Sequence, residues 1–308
     1  MRRVFGMGET TMDILFRHRQ PVAAVPGGSC FNSIISLGRT GTPSWFMGYA
    51  GDDAVGSQTA DFLTDNGVHD DFFVRRKGEK SSLSLAYLNE QGDADYLFYK
   101  SPLHMDGQTP IPELTSSDIL LFGSHFASCD GTRQFVRHMQ TAAGQAGSFV
   151  YYDLNFRRSH LPELDHLMPA IQENFRKSTL VRGSADDFEV MYGERDARSV
   201  YDAHIARWCP LFICTAGAEG ITVCTPDAAF DFEVPHLQAV STVGAGDNFN
   251  AGFIYALINY DLHASDLLCM DKEGWARLVK VGCDFAAQVC QSEYNNISKE
   301  FAANYRLV

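Results

Sequence analysis

The sequence predicts an α/β fold in which a mainly parallel central sheet is flanked by helices. Short apolar segments alternate with helical segments along the 308 residues, and this order is typical of parallel strands joined by helical crossovers that cover both faces of a sheet. The polar and glycine-rich motifs fall where predicted strands end. No repeat, low-complexity tract or linker divides the chain, so we expect a single domain over residues 1–308.

The individual elements follow from hydrophobic periodicity. Phe31, Ile34, Ile35 and Gly38 recur at i, i+3, i+4 and i+7, which predicts a helix that opens after residue 28. Further helices are predicted over residues 54–66 and 132–143 and after residue 246. Strands are predicted over residues 4–8, 43–49, 118–123, 149–154, 178–182, 211–215, 221–224 and 230–234. Ligands of such sheets bind beyond the carboxyl ends of the strands.

Residues 83–100 break the alternation. Two β-rich segments, residues 83–89 and 94–100, are joined by a short turn at residues 90–93, which predicts a hairpin. Its second strand is apolar on both faces and must cover something on each. One interpretation docks the hairpin on the main core. The other makes it a small β lid, together with about residues 10–22, over a ligand or a second subunit.

Composition narrows the functional classes. The net charge of −13 argues against binding to nucleic acid or to an anionic membrane, while it still allows an anionic small molecule at a local site. The eight cysteines form no C-x-x-C pair, so buried reduced thiols are expected. The N-terminus does not resemble a signal peptide and no apolar stretch approaches membrane-spanning length, which predicts a cytoplasmic protein.

The segment Ser-Thr-Val-Gly-Ala-Gly-Asp at residues 241–247 is the most informative motif. Gly244, Ala245 and Gly246 bring backbone N–H groups together at a helix N-terminus, where unpaired donors and the helix dipole attract an anion. Asp247 lies beside them and can accept a proton from an attacking hydroxyl. An anion site next to a base indicates phosphoryl transfer to an alcohol. The alternative is a glycine-rich helix start that only caps.

Neither common nucleotide motif explains this segment. Phe249 occupies the third glycine position of G-x-G-x-x-G, and no G-x-x-x-x-G-K-[ST] occurs. Thr215, Gly217 and Gly220 lie between two strands, where they could hold nucleotide phosphates or form a tight turn. Arg157 follows a buried strand and could neutralise phosphate, a role open also to the arginine after it.

Four residues near the N-terminus are candidates for binding an alcohol substrate. Asp13 follows the first strand, where it could accept paired hydroxyl hydrogen bonds or be a surface loop carboxylate. Gly27 and Gly28 permit close approach of a ligand to the backbone. Asn32 offers both a donor and an acceptor, although it could equally bond the backbone of a helix turn.

Taken in order along the chain, these motifs resemble the ribokinase-like (PfkB) family of carbohydrate kinases. Gly27-Gly28-x-x-x-Asn32, with the glycines between residues 48 and 56, is similar to the family's N-terminal signature. Thr242-x-Gly244-Ala245-Gly246-Asp247 is similar to its more specific C-terminal signature. The match extends over nearly the whole length, and it implies a ribokinase-like fold.

The resemblance also implies roles for the candidate residues. Asp247 would be the catalytic base, with transferring charge stabilised by Gly244, Ala245, Gly246 and Arg157. The sugar would contact Asp13, Gly27, Gly28 and Asn32. ATP would be bound by Thr215, Gly217, Gly220 and Thr242. The hairpin matches the family's lid, which often joins two subunits, and so implies a homodimer.

Two positions depart from the family pattern. The family usually has Asn-x-x-Glu where this chain has Ser184 and Asp187. Because magnesium keeps several of its waters, we expect Asp187 to contact Mg²⁺ through water. Ser241 replaces an aspartate that helps some members to hold a monovalent cation, so we expect potassium to activate weakly or not at all. The alternative is that Asp186 and Asp187 only favour a helix N-terminus.

Together these observations predict a kinase that uses ATP and Mg²⁺ to phosphorylate a primary hydroxyl of a small sugar. The Asp-x-Asn-x-Arg stretch at residues 153–157 and the Gly-Gly-Ser turn resemble fructokinases most, so fructose is the leading substrate. Ribose and a keto-deoxy sugar acid stay open. The alternatives are an adenosine-like nucleoside kinase and a non-catalytic sugar-sensing protein, the latter disfavoured by the intact residues 244–247.

Overall fold

The computed structural model describes residues 1–88, 94–106 and 109–307, so the turn predicted at residues 90–93 lies outside the described residues. The strands are β1 (Val4–Met7), β2 (Thr11–Arg17), β3 (Gln20–Gly27), β4 (Ser44–Gly51), β5 (Val68–His69), β6 (Phe73–Arg76), β7 (Leu83–Leu88), β8 (Ala94–Tyr99), β9 (Ile119–Gly123), β10 (Phe149–Asp153), β11 (Leu180–Ser184), β12 (Leu211–Thr215), β13 (Ile221–Cys224) and β14 (Ala229–Phe232). The α-helices are α1 (Ser29–Arg39), α2 (Ala54–Asp65), α3 (Asp130–Ala146), α4 (Leu164–Lys177), α5 (Ala185–Tyr192), α6 (Ala197–Val200), α7 (Ala245–Asn259), α8 (Ala264–Leu268), α9 (Lys272–Cys290) and α10 (Lys299–Ala302). Within the residues described, no helix combines the length and the apolar composition needed to cross a membrane.

The larger sheet has ten strands in the order β14-β13-β12-β11-β10-β9-β1-β4-β5, with β6 beside β4. Every pairing from β5 to β12 is parallel, and β13 and β14 join the β12 edge antiparallel. This confirms the predicted mainly parallel α/β fold. The strand predicted at residues 178–182 begins two residues later, at Leu180–Ser184, and the helix predicted at residues 132–143 extends further at both ends.

Alternate residues of the central strands enter two separate cores. In β9, Ile119 and Leu121 pack on the face covered by α1, α7 and α9. Leu120 and Phe122 pack on the face covered by α3, α4 and α5. All four side chains are at most 1% exposed, and burying an aliphatic or phenyl side chain of this size contributes about 1.5–3 kcal/mol. The sheet is therefore the middle layer of three.

Helix α7 is the element that positions the predicted anion site. It packs between α1 and α9, and its residues from 248 to 258 are all buried. The approach to α9 is close, because a Cβ added at Gly252 would lie 2.5 Å from the carbonyl oxygen of Val281. The N-termini of α1 and α7 consequently meet at the carboxyl edge of the sheet.

A second sheet of four strands has the order β3-β2-β7-β8. β7 and β8 pair antiparallel, as the predicted hairpin requires, while β2 pairs parallel with β7. Leu97, Phe98 and Tyr99 of β8 are 49%, 44% and 57% exposed. β3 ends at Gly27, directly before α1, so this sheet, which we call the β lid sheet, is attached to the start of the helix that holds the site.

The cysteines agree with the expectation of reduced thiols. All eight are free, seven are buried, and Cys269 is exposed. Burial raises the pKa of the Cys209 and Cys214 thiols to about 12. Buried thiols with a raised pKa are unreactive at neutral pH because the thiolate is the nucleophile.

Candidate active site

The carboxylate of Asp247, at the start of α7, is held by two side chains from the start of α1. Ser29 Oγ donates a hydrogen bond of 2.7 Å to Asp247 Oδ1, and Asn32 Nδ2 donates one of 2.8 Å to Oδ2. Ser33 Oγ donates a third bond, of 2.7 Å, to the main-chain oxygen of Asp247. Both carboxylate oxygens are therefore fixed in direction. Asn32 was predicted to contact the sugar. In the structure its side chain bonds the predicted base, Asp247.

The pKa of Asp247 is raised to about 6. Burial raises it most, the hydrogen bonds from Asn32 and Ser29 lower it, and the nearby charge of Asp153 raises it further. A carboxylate with a pKa of this size is ionised at neutral pH and yet basic enough to accept a proton, which is the balance that a general base requires.

The backbone at the start of α7 offers unpaired donors beside Asp247. Gly244 precedes the helix in the left-handed region, with φ 80°, a conformation that favours glycine. Gly246 and Asp247 lie in the first helical turn, where N–H groups have no intrahelical partner. The Ala245 N–H differs from the prediction, because it donates to the carbonyl of Thr242 at 3.2 Å.

A buried arginine that the sequence analysis did not single out lies behind this turn. Arg182 of β11 is 6% exposed. Its Nη1 donates to Asp153 Oδ1 at 3.0 Å and its Nη2 to Thr215 Oγ1 at 2.5 Å. Burial works against its charge, but the adjacent Asp153 leaves the pKa of Arg182 raised overall. The signal that could have found it is a charged residue directly after the apolar Leu180 and Val181, at the end of a predicted strand.

Asp153 connects this arginine to α7. Its second oxygen, Oδ2, accepts a hydrogen bond of 2.8 Å from Asn250 Nδ2, and Asn250 Oδ1 accepts one of 2.9 Å from the Tyr151 hydroxyl. β10, β11 and α7 are thereby tied together at the carboxyl edge of the sheet.

A cavity of about 530 Å³ opens beside the first turn of α7. The structure brings five of the predicted residues together there, namely Thr215, Gly217, Thr242, Ala245 and Gly246. Much of the remaining wall is apolar, including Val234, Leu237, Phe249 and Ala286. Such a mixture of apolar walls and a few polar groups is typical of small-molecule sites.

Gly220 does not line this cavity within the described part of the chain. It follows a 3₁₀ turn with φ 126°, and a Cβ there would lie 2.8 Å from the carbonyl oxygen of Phe232. Its role in the structure is that of a turn residue, which was the alternative left open by the sequence.

Asp13 and Gly27 lie on β2 and β3 of the β lid sheet, and Gly28 follows as the residue before α1. Asp13 Oδ1 accepts a hydrogen bond of 2.5 Å from Ser84 Oγ, and burial raises the pKa of Asp13. A Cβ at Gly27 would lie 2.8 Å from Asp13 Oδ2, and one at Gly28, which has φ 140°, would lie 2.3 Å from the carbonyl oxygen of Glu9. The two glycines therefore allow the chain to pass closely over both acids.

Glu9 and Arg157 are two further charged groups on this side. Glu9 Oε2 is buried and has no hydrogen-bond partner among the residues described, and burial raises the pKa of Glu9. Arg157 is exposed, but its charge is near enough to lower the pKa of Glu9, Asp13 and Asp247. The predicted base and the predicted sugar contacts thus share one electrostatic environment.

Asp187 forms a helix cap. Its Oδ2 accepts a hydrogen bond of 2.7 Å from the Ser184 N–H, and Ser184 Oγ accepts one of 3.1 Å from the Asp187 N–H. This reciprocal arrangement is a capping box. Burial raises the pKa of Asp187 to about 6. The helix-start interpretation is therefore realised in the structure, and the metal role stays a prediction.

Comparison with known proteins identifies the family. The profile of the pfkB family carbohydrate kinases matches residues 7–301. The chain belongs to this family. It is similar to a probable fructokinase-2 of Arabidopsis thaliana, with 26% identity over 241 residues that cover 76% of this chain and 73% of the relative. It is 25% identical to a fructokinase of Escherichia coli over 268 residues, covering 86% of this chain and 87% of that one.

A solved structure extends the match to the fold. The aminoimidazole riboside kinase of Salmonella enterica, complexed with aminoimidazole riboside and an ATP analogue, superposes with a TM-score of 0.84. The match covers 99% of both chains at 21% sequence identity. The ribokinase-like fold of this pfkB-family carbohydrate kinase is therefore confirmed.

Proposed function

We propose that this carbohydrate kinase transfers the γ-phosphoryl group of ATP to a primary hydroxyl of a small sugar, with Asp247 as the base. The observation that carries the proposal is the Asp247 carboxylate, fixed by Ser29 and Asn32 beside the unpaired N–H groups of the first turn of α7. A base and an anion site in contact are what phosphoryl transfer to an alcohol requires.

The chemical step assigns one task to each side of this turn. Asp247 accepts the proton of the sugar hydroxyl as its oxygen forms a bond to the γ-phosphorus. The bond from that phosphorus to the bridging oxygen breaks, and its electron pair leaves with ADP. The N–H groups of the first turn stabilise the charge on the transferring oxygens, and Arg157 adds positive charge from the sugar side.

The 530 Å³ cavity is the proposed ATP site. Its apolar walls suit a purine. Thr215, Gly217 and Thr242 would bind the phosphates beside α7. Gly220 would act only indirectly, by shaping the turn that contains Gly217.

Magnesium fits the same region in a limited way. Asp186 lines the cavity and pairs with Arg195 at 2.6 Å, while one oxygen of Asp187 is committed to the helix cap. These carboxylates suit an ion that is held mainly by nucleotide phosphates and reaches Asp187 through water, as Mg²⁺ often does. When bound, Mg²⁺ supplies neutralisation of phosphate charge. Ser241 offers no charge for a monovalent cation.

The sugar would lie beneath the β lid sheet. Asp13 and Glu9, whose Oε2 has no hydrogen-bond partner among the described residues, can accept hydrogen bonds from hydroxyl groups, and Gly27 and Gly28 keep the approach open. Fructose is the leading substrate, because curated relatives that this chain matches are named fructokinases. A riboside is the second candidate, since a relative of similar coverage is an aminoimidazole riboside kinase.

A cytoplasmic homodimer is part of the same proposal. The exposed Leu97 and Tyr99 share one face of β8 and form an apolar surface on the lid sheet that a second subunit would cover. Free buried thiols are typical of a reducing compartment. Light scattering of the purified chain tests the dimer, and a monomer at assay concentrations would contradict it.

The substrate is tested by ADP release in a coupled assay over a panel of fructose, ribose, keto-deoxy sugar acids and nucleosides. We expect sugar-dependent turnover, highest with fructose. If kcat/KM is highest with a nucleoside, the substrate is a riboside and not a free sugar. Sugar binding without any ATP turnover would favour a sensing protein and contradict the proposal.

A further inference from the structure

A fixed positive charge lies directly behind the proposed anion site. Arg182 is held by two neighbours on adjacent strands, Asp153 at 3.0 Å and Thr215 at 2.5 Å. Its Nε is buried and has no partner among the described residues. The guanidinium also borders the large cavity, together with Gly246. A buried arginine that still reaches a cavity wall can act on a bound anion.

The residue at position 246 shows how close that charge lies to α7. Gly246 is not in the positive-φ region, so its backbone conformation does not require glycine. A Cβ there would, however, lie 2.8 Å from Arg182 Nη2 and 3.0 Å from Nη1. The absence of a side chain therefore allows the guanidinium to contact the first helical turn, which carries the unpaired N–H groups.

We propose that Arg182 is a positioning and electrostatic residue of phosphoryl transfer, supplying a preorganised positive charge to the anion site through contact with Gly246. The inference rests on the proposed kinase function. Because Asp153 and Thr215 already fix the guanidinium, no reorganisation is needed when charge develops on the transferring phosphoryl group, and such preorganised charge is effective in a site shielded from water. Arg157, by contrast, is exposed and would be screened.

A purely structural ion pair is the competing explanation. Buried salt bridges are often worth little for stability, while loss of one partner leaves an unpaired buried charge and destabilises strongly. The two explanations differ in what happens when both charges are removed. A structural pair should be restored by the double substitution, whereas an electrostatic role of the arginine should not.

The test is a double-mutant cycle of Arg182→Gln, Asp153→Asn and the combined variant. Arg198→Gln serves as the matched control, because Arg198 is an exposed arginine paired with Asp231 on the surface. Each variant is assayed for kcat and for sugar KM and is melted to measure stability. We expect Asp153→Asn, which keeps the positive charge, to lose about tenfold or less in kcat, whereas Arg182→Gln and the double variant lose about 10²–10³-fold.

The outcomes separate the explanations. We expect the double variant to melt closer to wild type than Arg182→Gln does and still to have the low kcat, with sugar KM changed less than about threefold. Arg182→Lys should recover part of the loss, because it restores charge without the fork. A double variant with near-wild-type kcat would overturn the inference and leave a structural pair.

ATP titration calorimetry without sugar keeps this result distinct from the proposed function. If wild type turns over no substrate, the kinase proposal fails, and weaker ATP binding in the double variant than in Asp153→Asn still supports Arg182 as an anion-site charge. If Asp153→Asn and the double variant bind ATP equally and, where turnover exists, have equal kcat, the proposed role of Arg182 is contradicted while the kinase proposal still stands.

Discussion

Asn32 and Asp247 are 215 positions apart in sequence, yet Asn32 Nδ2 lies 2.8 Å from Asp247 Oδ2. The contact joins the first turns of α1 and α7, which contain the two motifs that the sequence singled out. Because the amide donates to the ionised carboxylate, it lowers the pKa of Asp247 against the effect of burial. The residue predicted to contact sugar thus also lowers the pKa of the proposed base.

The pH profile should show this coupling. We expect kcat/KM of wild type, plotted against pH, to fall on the acid side with an apparent pKa of about 6, which is the pKa of Asp247. Asn32→Leu and Ser29→Ala each remove a donor to the carboxylate, so each should move this acid-side fall to higher pH. Ser33→Ala is the matched control, because Ser33 Oγ bonds the main-chain oxygens of Asp247 and Ser29 and not the Asp247 carboxylate. An equal displacement in all three variants would contradict the assignment.

Replacement of the proposed base Asp247 by asparagine should lower activity and raise stability. We expect Asp247→Asn to lower kcat by about 10²–10⁴-fold, with little change in ATP affinity. Because the folded-state pKa of about 6 lies above that of the unfolded chain, the native carboxylate costs stability once pH rises through 6. The variant should therefore gain on the order of 1–3 kcal/mol in free energy of unfolding at pH about 7.5.

The gain in free energy of unfolding of Asp247→Asn should depend on pH, and this dependence is the control for the prediction. Near pH 4 the carboxyl is protonated in the folded protein and increasingly so in the unfolded chain, and the stability difference should shrink towards zero. Denaturant titrations at several pH values measure it. Near-normal turnover in the Asn variant would refute the base, while a gain that does not vary with pH would refute the raised pKa.

The sequence predicted the parallel sheet, which is confirmed, and the candidate anion site, which stays a prediction, because both depend on local patterns. Short apolar runs marked β9, β10 and β12, and the glycines at residues 244–246 marked the start of α7. Arg182 was missed because its importance arises from neighbours on other strands, Asp153 and Thr215, which no local pattern reveals. The hydrogen bond between Asn32 and Asp247 was missed for the same reason, although both residues had been chosen as candidates.

Asp187 tests the departure from the family pattern. We expect Asp187→Ala to raise the Mg²⁺ concentration needed for half-maximal activity without abolishing turnover, since Mg²⁺ would reach this carboxylate only through water. Asp187→Asn keeps an acceptor for the Ser184 N–H, so it removes the charge while it preserves the cap. Asp196→Ala, which removes the N-cap of α6, controls for loss of a cap as such. An unchanged Mg²⁺ titration in both Asp187 variants would leave Asp187 as a cap alone.

Potassium should activate weakly or not at all, because Ser241 lacks the negative charge that would favour a monovalent cation. Turnover of wild type is compared in sodium, potassium and a bulky organic cation at equal ionic strength. Strong activation by potassium would show that main-chain oxygens suffice to bind the ion at this position.

The β lid sheet should respond to sugar. We expect backbone amides of β7 and β8 to exchange faster than those of β9 in the free protein and to gain protection when sugar binds. Hydrogen exchange measured by mass spectrometry, with peptides of the buried β9 as the internal reference, checks this. Identical exchange with and without every substrate on the panel would make the hairpin part of the static core.

The burial of seven thiols beside one exposed thiol provides a built-in reporter of unfolding. A maleimide probe added to the native protein should attach at Cys269 alone, in the segment between α8 and α9. The remaining thiols become reactive only as the layers around them separate, each with the element that carries it. The number of probes per chain, read by mass, then measures how much of the molecule has opened, and the identity of the labelled peptides gives the order.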